Sequence, residues 1–132
     1  MAKYVYPAVF TPEETGYSVV FPDIECCYTC GDSMADALDM ARDVLALRLC
    51  DIENAHEPIP RPSDIRNVSH DDGEIVSLVG CDTIEYRRQN DNRAVKKTLT
   101  IPSWLNAMAE AEDLNFSGIL QDALKDRLHI RP

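Results

Sequence analysis

Lys96-Lys97-Thr98-Leu99-Thr100-Ile101-Pro102 is the stretch that decides how the C-terminal third is built. In an extended chain Leu99 and Ile101 share one face, and Lys96, Thr98 and Thr100 share the other. The first face is apolar. The second is short, polar and cationic. Such a segment suits a ribbon with helices behind it and nucleic acid in front. A strand this short has no partner within its own helix pair, so it predicts pairing with a second chain. The expected assembly is a symmetric dimer that reads DNA with a two-stranded ribbon.

Beyond the segment the pattern becomes helical. Pro102 suits the first turn of a helix. Leu105, Met108 and Ala109 mark its apolar face, Trp104 begins another face, and the helix is expected to end near Asp113–Leu114. Asn115 is a good N-cap for a second helix, with Ile119, Leu120, Ala123, Leu124 and Leu128 at helical spacing. Gly118 weakens that helix by about 1 kcal/mol relative to alanine.

Upstream, Tyr4–Phe10 reads as a strand in which Pro7 points to an edge or a bulge. A Thr11–Gly16 turn and a second strand, Tyr17–Phe21, complete an antiparallel hairpin. Cys26–Cys30 reads as a third strand, ended by Gly31. Asp32 or Ser33 then caps a long helix, with Asp36 at the capping-box offset from Ser33. Met34, Leu38, Ala41, Leu45, Leu49 and Ile52 form its buried stripe. The helix is expected to fade at residues 54–57, before the extended Pro58-Ile59-Pro60-Arg61-Pro62 connector. Glu74–Tyr86 reads as a fourth, bent strand. The pattern is therefore α+β: β-β-β-α-β over residues 1–88, a polar linker at 89–94, and a strand with two helices over 95–132.

The 132 residues carry a formal net charge of −10. All of it falls in residues 1–88, and residues 89–132 are neutral. An acidic chain is repelled by phosphate, yet Arg87, Arg88, Arg93, Lys96 and Lys97 cluster with only Asp91 among them. The two halves are expected to meet different partners, a basic one for the first and DNA for the second. No apolar run approaches the ~20 residues of a membrane span. The N-terminus lacks the apolar core of a signal peptide, so a cytoplasmic location is expected.

Cys26, Cys27, Cys30, Cys50 and Cys81 are odd in number, which does not suit a disulfide framework. Cys27-x-x-Cys30 has no matching pair to complete four zinc ligands, and His56, His70 and His129 are scattered. Packed, reduced thiols are expected, without a metal. No Gly-rich phosphate loop, Ser-His-Asp set or cofactor motif is present, so neither an enzyme nor a cofactor is expected.

The tail residues Lys96–Pro102, Leu105, Met108, Leu114–Leu120 and Ala123-Leu124 resemble the ribbon-helix-helix repressors. That resemblance implies base contacts from Lys96, Thr98 and Thr100, flanked by Lys97. It also implies a phosphate held at the second helix N-terminus by Asn115, Phe116 and Ser117. Many members of that family have glycine in the inter-helix turn, where this chain has Asp113-Leu114-Asn115.

The first part resembles the HicB antitoxin family. The matching runs are Tyr6-Pro7-Ala8-Val9-Phe10, Gly16-Tyr17-Ser18-Val19-Val20-Phe21-Pro22-Asp23-Ile24, Cys30-Gly31-Asp32-Ser33-Met34-Ala35-Asp36-Ala37 and Pro58-Ile59-Pro60. Glu25-Cys26-Cys27 departs from the Pro-Gly turn common in the family. The resemblance implies a partial ribonuclease-H-like head that occludes a small, basic, mRNA-cleaving HicA-type toxin, and a homodimeric tail that represses its own operon through operator DNA. The extent of any higher assembly with toxin stays open. Tyr17, Asp23, Glu25, Asp32, Asp36 and Asp39 are the candidate toxin contacts.

Three other readings compete. A nuclease would need Asp23, Asp32, Asp82 and Glu85 to converge on metal ions. A stand-alone repressor would sense a small molecule in an apolar pocket of the head. The tail could also be a helical hairpin that only dimerises.

Overall fold

A computed structural model describes residues 2–91 and 93–130. Met1, Asn92 and the last two residues lie outside it, including one position of the expected linker and the outer ends of both expected domains. Two compact units make up the chain, Met1–Arg93 and Ala94–Pro132.

The first unit is a four-stranded antiparallel sheet with a long helix packed on it. The strands are β1 (Lys3–Pro12), β2 (Tyr17–Val20), β3 (Tyr28–Gly31) and β4 (Ile75–Asp82). Their order across the sheet is β3-β2-β1-β4. Alternation decides the faces. Tyr6, Ala8 and Phe10 of β1 and Val19 of β2 are fully buried, and Val79 and Cys81 of β4 nearly so. They meet Ala37, Ala41, Leu45 and Leu49 of helix α1 (Met34–Asn54), all fully buried. The expected stripe thus faces the sheet, with Ala37 added to it.

Pro7 does not mark an outer strand, because β1 lies inside the sheet. It falls instead where β2 does not reach: β2 pairs only with Val9–Pro12, while β4 pairs with Lys3–Phe10. The missing N–H of proline is tolerated on a side with no ladder.

Ser33 is the N-cap of α1. Its hydroxyl accepts from the Asp36 N–H (3.1 Å), and the Asp36 carboxylate accepts from the Asp32 N–H (2.9 Å). Two glycines fix how this helix begins. Gly16, at φ +82°, sits so close to Gly31 that a Cβ would lie 2.0 Å from the Gly31 carbonyl oxygen. A Cβ on Gly31 would lie 2.4 Å from the Ala37 backbone nitrogen. The β1–β2 turn, the end of β3 and the first turn of α1 therefore touch backbone to backbone.

Two expectations are corrected. The third strand begins at Tyr28, because Cys26 turns the chain with a φ of +54°. The fourth strand does not run to Tyr86: it ends at Asp82, and helix α2 (Thr83–Asn90) comes directly after it. Asp82 caps that helix, its Oδ1 accepting from the N–H groups of Ile84 (2.9 Å) and Glu85 (3.3 Å). The first unit is thus β-β-β-α-β-α, and Gln89 and Asn90, expected in the linker, close α2.

The second unit holds α3 (Ser103–Ala111) and α4 (Phe116–Arg127). Asp113 takes the left-handed conformation at φ +52°, a region that favours glycine. The Asp113 N–H bonds the Glu110 carbonyl (3.0 Å) and the Leu114 N–H bonds the Ala109 carbonyl (3.1 Å), which closes α3 as a Schellman motif. Residues 93–102 carry no regular secondary structure in the single chain, so the expected strand is not formed there. A strand needs a ladder, and none is offered to this segment.

Leu45→Ala is expected to cost about 3 kcal/mol through the cavity it leaves, seen as a lower urea midpoint for the full chain. Asp113→Gly is expected to stabilise the inter-helix turn by about 0.5–1 kcal/mol, because glycine adopts the left-handed conformation without penalty.

Candidate functional site

Glu53, in the last turn of α1, positions the acidic surface of the first unit. Its side chain is 8% exposed. Its Oε2 accepts from the Tyr4 hydroxyl of β1 (2.9 Å) and from Thr83 Oγ1 of α2 (3.0 Å). Its Oε1 pairs with Arg87 Nη2 at 3.1 Å. Arg87 also donates to the Cys50 carbonyl (3.3 Å), and Thr83 Oγ1 accepts from the Ala2 N–H (3.0 Å). Burial works to raise the Glu53 pKa, but its hydrogen bonds, those from Tyr4, Arg87 and Thr83 among them, outweigh it and hold the group below its ordinary value. Burial, then the bond to Glu53, pushes Tyr4 up to about 12.

This junction seats α2 beside α1, and a cleft of about 380 Å³ opens between them. Asp39, Arg42, Asp43 and Ala46 of α1 border it, with Cys81 and Asp82 of β4 and Glu85, Tyr86 and Gln89 of α2. Four carboxylates face one guanidinium. Asp43 is an addition to the candidate contacts, and its spacing of four from Asp39, which places both on one helix face, is the signal that could have found it.

The other candidate residues fall in two further places. Tyr17 is half-buried against the core and opposite Gly31 in the ladder, and Asp32 and Asp36 lie at the start of α1. Asp23 and Glu25 lie in the β2–β3 loop. The Asp23 carboxylate accepts from the Ser63 N–H (2.9 Å) and from its hydroxyl, which holds the proline-rich connector in place. Glu25 is exposed, and its carbonyl accepts from Arg48 (3.3 Å). Of the six candidates, Asp39 is the one that borders the cleft.

The carboxylates considered for a nuclease are likewise dispersed: Asp23 in a loop, Asp32 before α1, and Asp82 and Glu85 at the start of α2. Among the described residues no group of three His, Cys, Asp or Glu side chains is disposed to hold a metal ion. The clefts found on this unit are bordered mainly by charged and polar side chains, not by the apolar wall a small-molecule sensor would need. No helix of the described residues is long and apolar enough to cross a membrane.

Cys27, Cys50 and Cys81 are buried, while Cys26 and Cys30 are exposed. Burial raises the thiol of Cys27 to about 11 and that of Cys81 to about 12.

In the second unit Lys96, Lys97, Thr98 and Thr100 are exposed. A groove of about 530 Å³ is bordered by the alternate residues Lys97, Leu99 and Ile101 together with Phe116, Ile119, Leu120 and Ala123. Lys96, Thr98 and Thr100 do not border it. Asn115 caps α4, its side chain accepting from the Gly118 N–H (3.1 Å). The N–H groups of Phe116 and Ser117 in the first turn are beyond the reach of intrahelical bonding.

Residues 6–124 match the family described as HicB_like antitoxin of bacterial toxin-antitoxin system. The chain belongs to that family. Antitoxin HicB 2 of Photorhabdus laumondii is 41% identical over 58 residues, covering 44% of this chain and 42% of the relative. The chain thus spans less than half the length of that relative. Among solved structures, a toxin-antitoxin complex from Streptococcus pneumoniae superimposes with a TM-score of 0.61 at 31% identity, over 95% of this chain and 99% of the other. A HicA3 and HicB3 toxin-antitoxin complex gives 0.51 at 27% identity, over 60% of this chain and 99% of the other. The mixed sheet-and-helix architecture is that of HicB structures.

Glu53→Gln is expected to cost about 2 kcal/mol at neutral pH, since it weakens charged hydrogen bonds in a closed site. Because the folded pKa of Glu53 is depressed, its contribution is present above the unfolded carboxylate pKa and is lost as pH falls through the folded value. Thermal midpoints measured from pH 7 to pH 3 should converge for wild type and variant at the acidic end. Alkylation by iodoacetamide at pH 8, mapped by mass spectrometry, should reach Cys26 and Cys30 and spare Cys27, Cys50 and Cys81 until the chain is unfolded.

Proposed function

We propose that this chain is a two-part antitoxin. The first unit, as a partial ribonuclease-H-like domain, binds and occludes a small basic HicA-type toxin that cleaves mRNA. The second pairs with a second copy as a ribbon-helix-helix dimer and represses its own operon by binding operator DNA. The observation that carries this reading is the family match, which runs from the acidic unit into the basic segment and both tail helices.

Physical arguments support each half. A toxin that grips RNA presents a cationic surface, and the entire −10 charge of the chain lies in residues 1–88. Opposite fields speed encounter and select the partner. The chain would act by covering the toxin, with no chemistry of its own.

The second half rests on a missing interior. Among the described residues of 94–130 none is buried. Leu99, Trp104, Met108, Phe116, Ile119, Leu124 and Leu128 are each between 45% and 65% exposed. So short a unit cannot stand alone with its apolar side chains in water. A second copy supplies the missing strand for Lys96–Ile101 and covers the groove bordered by Leu99, Ile101 and Phe116. Lys96, Thr98 and Thr100, outside that groove, then face the major groove of DNA, with Lys97 at the rim of the covered groove and the backbone N–H groups of the first turn of α4 (Asn115, Phe116, Ser117) at a phosphate.

Removing residues 94–132 should abolish operator binding in a mobility-shift assay while the first unit still captures the toxin encoded in the adjoining reading frame. Loss of both would defeat the division of labour. Lys96→Ala and Thr98→Ala should each weaken operator binding about tenfold, the order of one lost base or phosphate contact, without changing the dimer mass in sedimentation. Affinity should fall steeply as salt rises, and a flat salt response would remove the ribbon from the contact surface.

A further inference from the structure

Among the described residues the sheet ends on β4. Residues Ile75–Cys81 of that strand, Ile-Val-Ser-Leu-Val-Gly-Cys, contain no charge and no proline. Free edges are normally blunted by lysine, proline or a bulge, because their outward N–H and C=O groups are a template for another chain. The opposite edge, β3, offers only four residues, against eight in β4.

We propose that β4 is the edge on which the basic toxin lays a strand of its own, extending the sheet. The added strand would alternate apolar and basic side chains. This rests on the antitoxin reading given above and assigns it a place on the molecule.

The two sides of the edge set that alternation. On the face away from α1, Leu78 is 54% exposed and Val5 51% exposed, with Gly80 opposite Val5 and the already covered Pro7 opposite Leu78 in the ladder. That side takes apolar groups. On the α1 side lies the acidic cleft, whose border includes Cys81 and Asp82 of β4 itself. Glu85 there is shared with Arg88 (3.7 Å) and Gln89, and Asp82 caps α2. Asp39 and Asp43 enter no hydrogen bond or ion pair among the described residues. They are the charges left for an incoming lysine or arginine.

Charge selects the occupant. A second copy pairing antiparallel about Leu78 would set Glu74 against Asp82 at both ends and bring two acidic clefts together. Like charges across a ladder oppose pairing. A cationic strand meets the reverse situation, with main-chain bonds supplying affinity and alternate side chains supplying specificity.

The test uses the full chain and the small basic protein of the adjoining reading frame. In hydrogen–deuterium exchange, complex formation should slow exchange across 75–82. Leu78→Lys, and separately the pair Asp39→Lys with Asp43→Lys, should each raise Kd at least tenfold in titration calorimetry. Glu14→Lys with Glu57→Lys, exposed charges that border neither β4 nor the cleft, should change it less than twofold. Protection confined to 17–36, or unchanged affinity in the edge variants, would overturn the placement while leaving the antitoxin reading intact. No binding by the unaltered chain would defeat both. Should a variant fail to fold, the exchange pattern of the unaltered chain still decides.

Discussion

One carboxylate holds the first unit in register with itself. Glu53 stands at the end of a long helix, yet its bonds go to the strand at the centre of the sheet and to the short helix that succeeds the sheet. Without it, α2 has little to hold it: apart from the buried Thr83 it carries no buried residue, and its apolar groups are Ile84 and Tyr86 alone. The cleft between α1 and α2 exists because this junction draws the two together. A partly buried ion pair of this kind adds little to stability in itself but is costly to break on one side. Its value here is positional, since it decides where Asp39 and Asp43 stand relative to β4.

Much of the architecture is legible in the chain. The hairpin of β1 and β2 announces itself by alternation, and α1 by its stripe and cap, because each buries one continuous face. The segment after Asp82 is not legible. Thr83, Ile84 and Tyr86 continue the rhythm of the strand before them, so a period of two overruns the true boundary. The chain is turned there by the Asp82 cap, whose local signal, Glu85 three residues on, is masked by the alternation, and by a distant partner for Arg87 that no short window shows. Cys26 misleads for a similar reason, as a left-handed residue where no glycine warns of a turn.

The surface is less legible than the fold. Acidity along the first 88 residues is plain, and its meaning as attraction toward a cation needs no coordinates. Sequence alone does not say which acids are occupied. Asp23 looks like a free charge in the chain and proves to be fastened to Ser63, whereas Asp36 announces its capping bond by its offset from Ser33. Asp43 gains its significance from the helix beside it, which the strand-like rhythm conceals. The reason for the Gly16 and Gly31 positions is also hidden in the chain: they allow two backbones to touch at the foot of α1.

The second unit carries its apolar groups on the outside. A segment without an interior gains its ordered form from company, and company obeys mass action. On the dimer reading, the fraction assembled rises with the abundance of the chain, whereas the first unit, with its own core, is indifferent to it. On that reading dilution, as in growth without fresh synthesis, would weaken the grip on the promoter while leaving the first unit folded. The chain would sense its own scarcity through the half that cannot be solvent-proof alone.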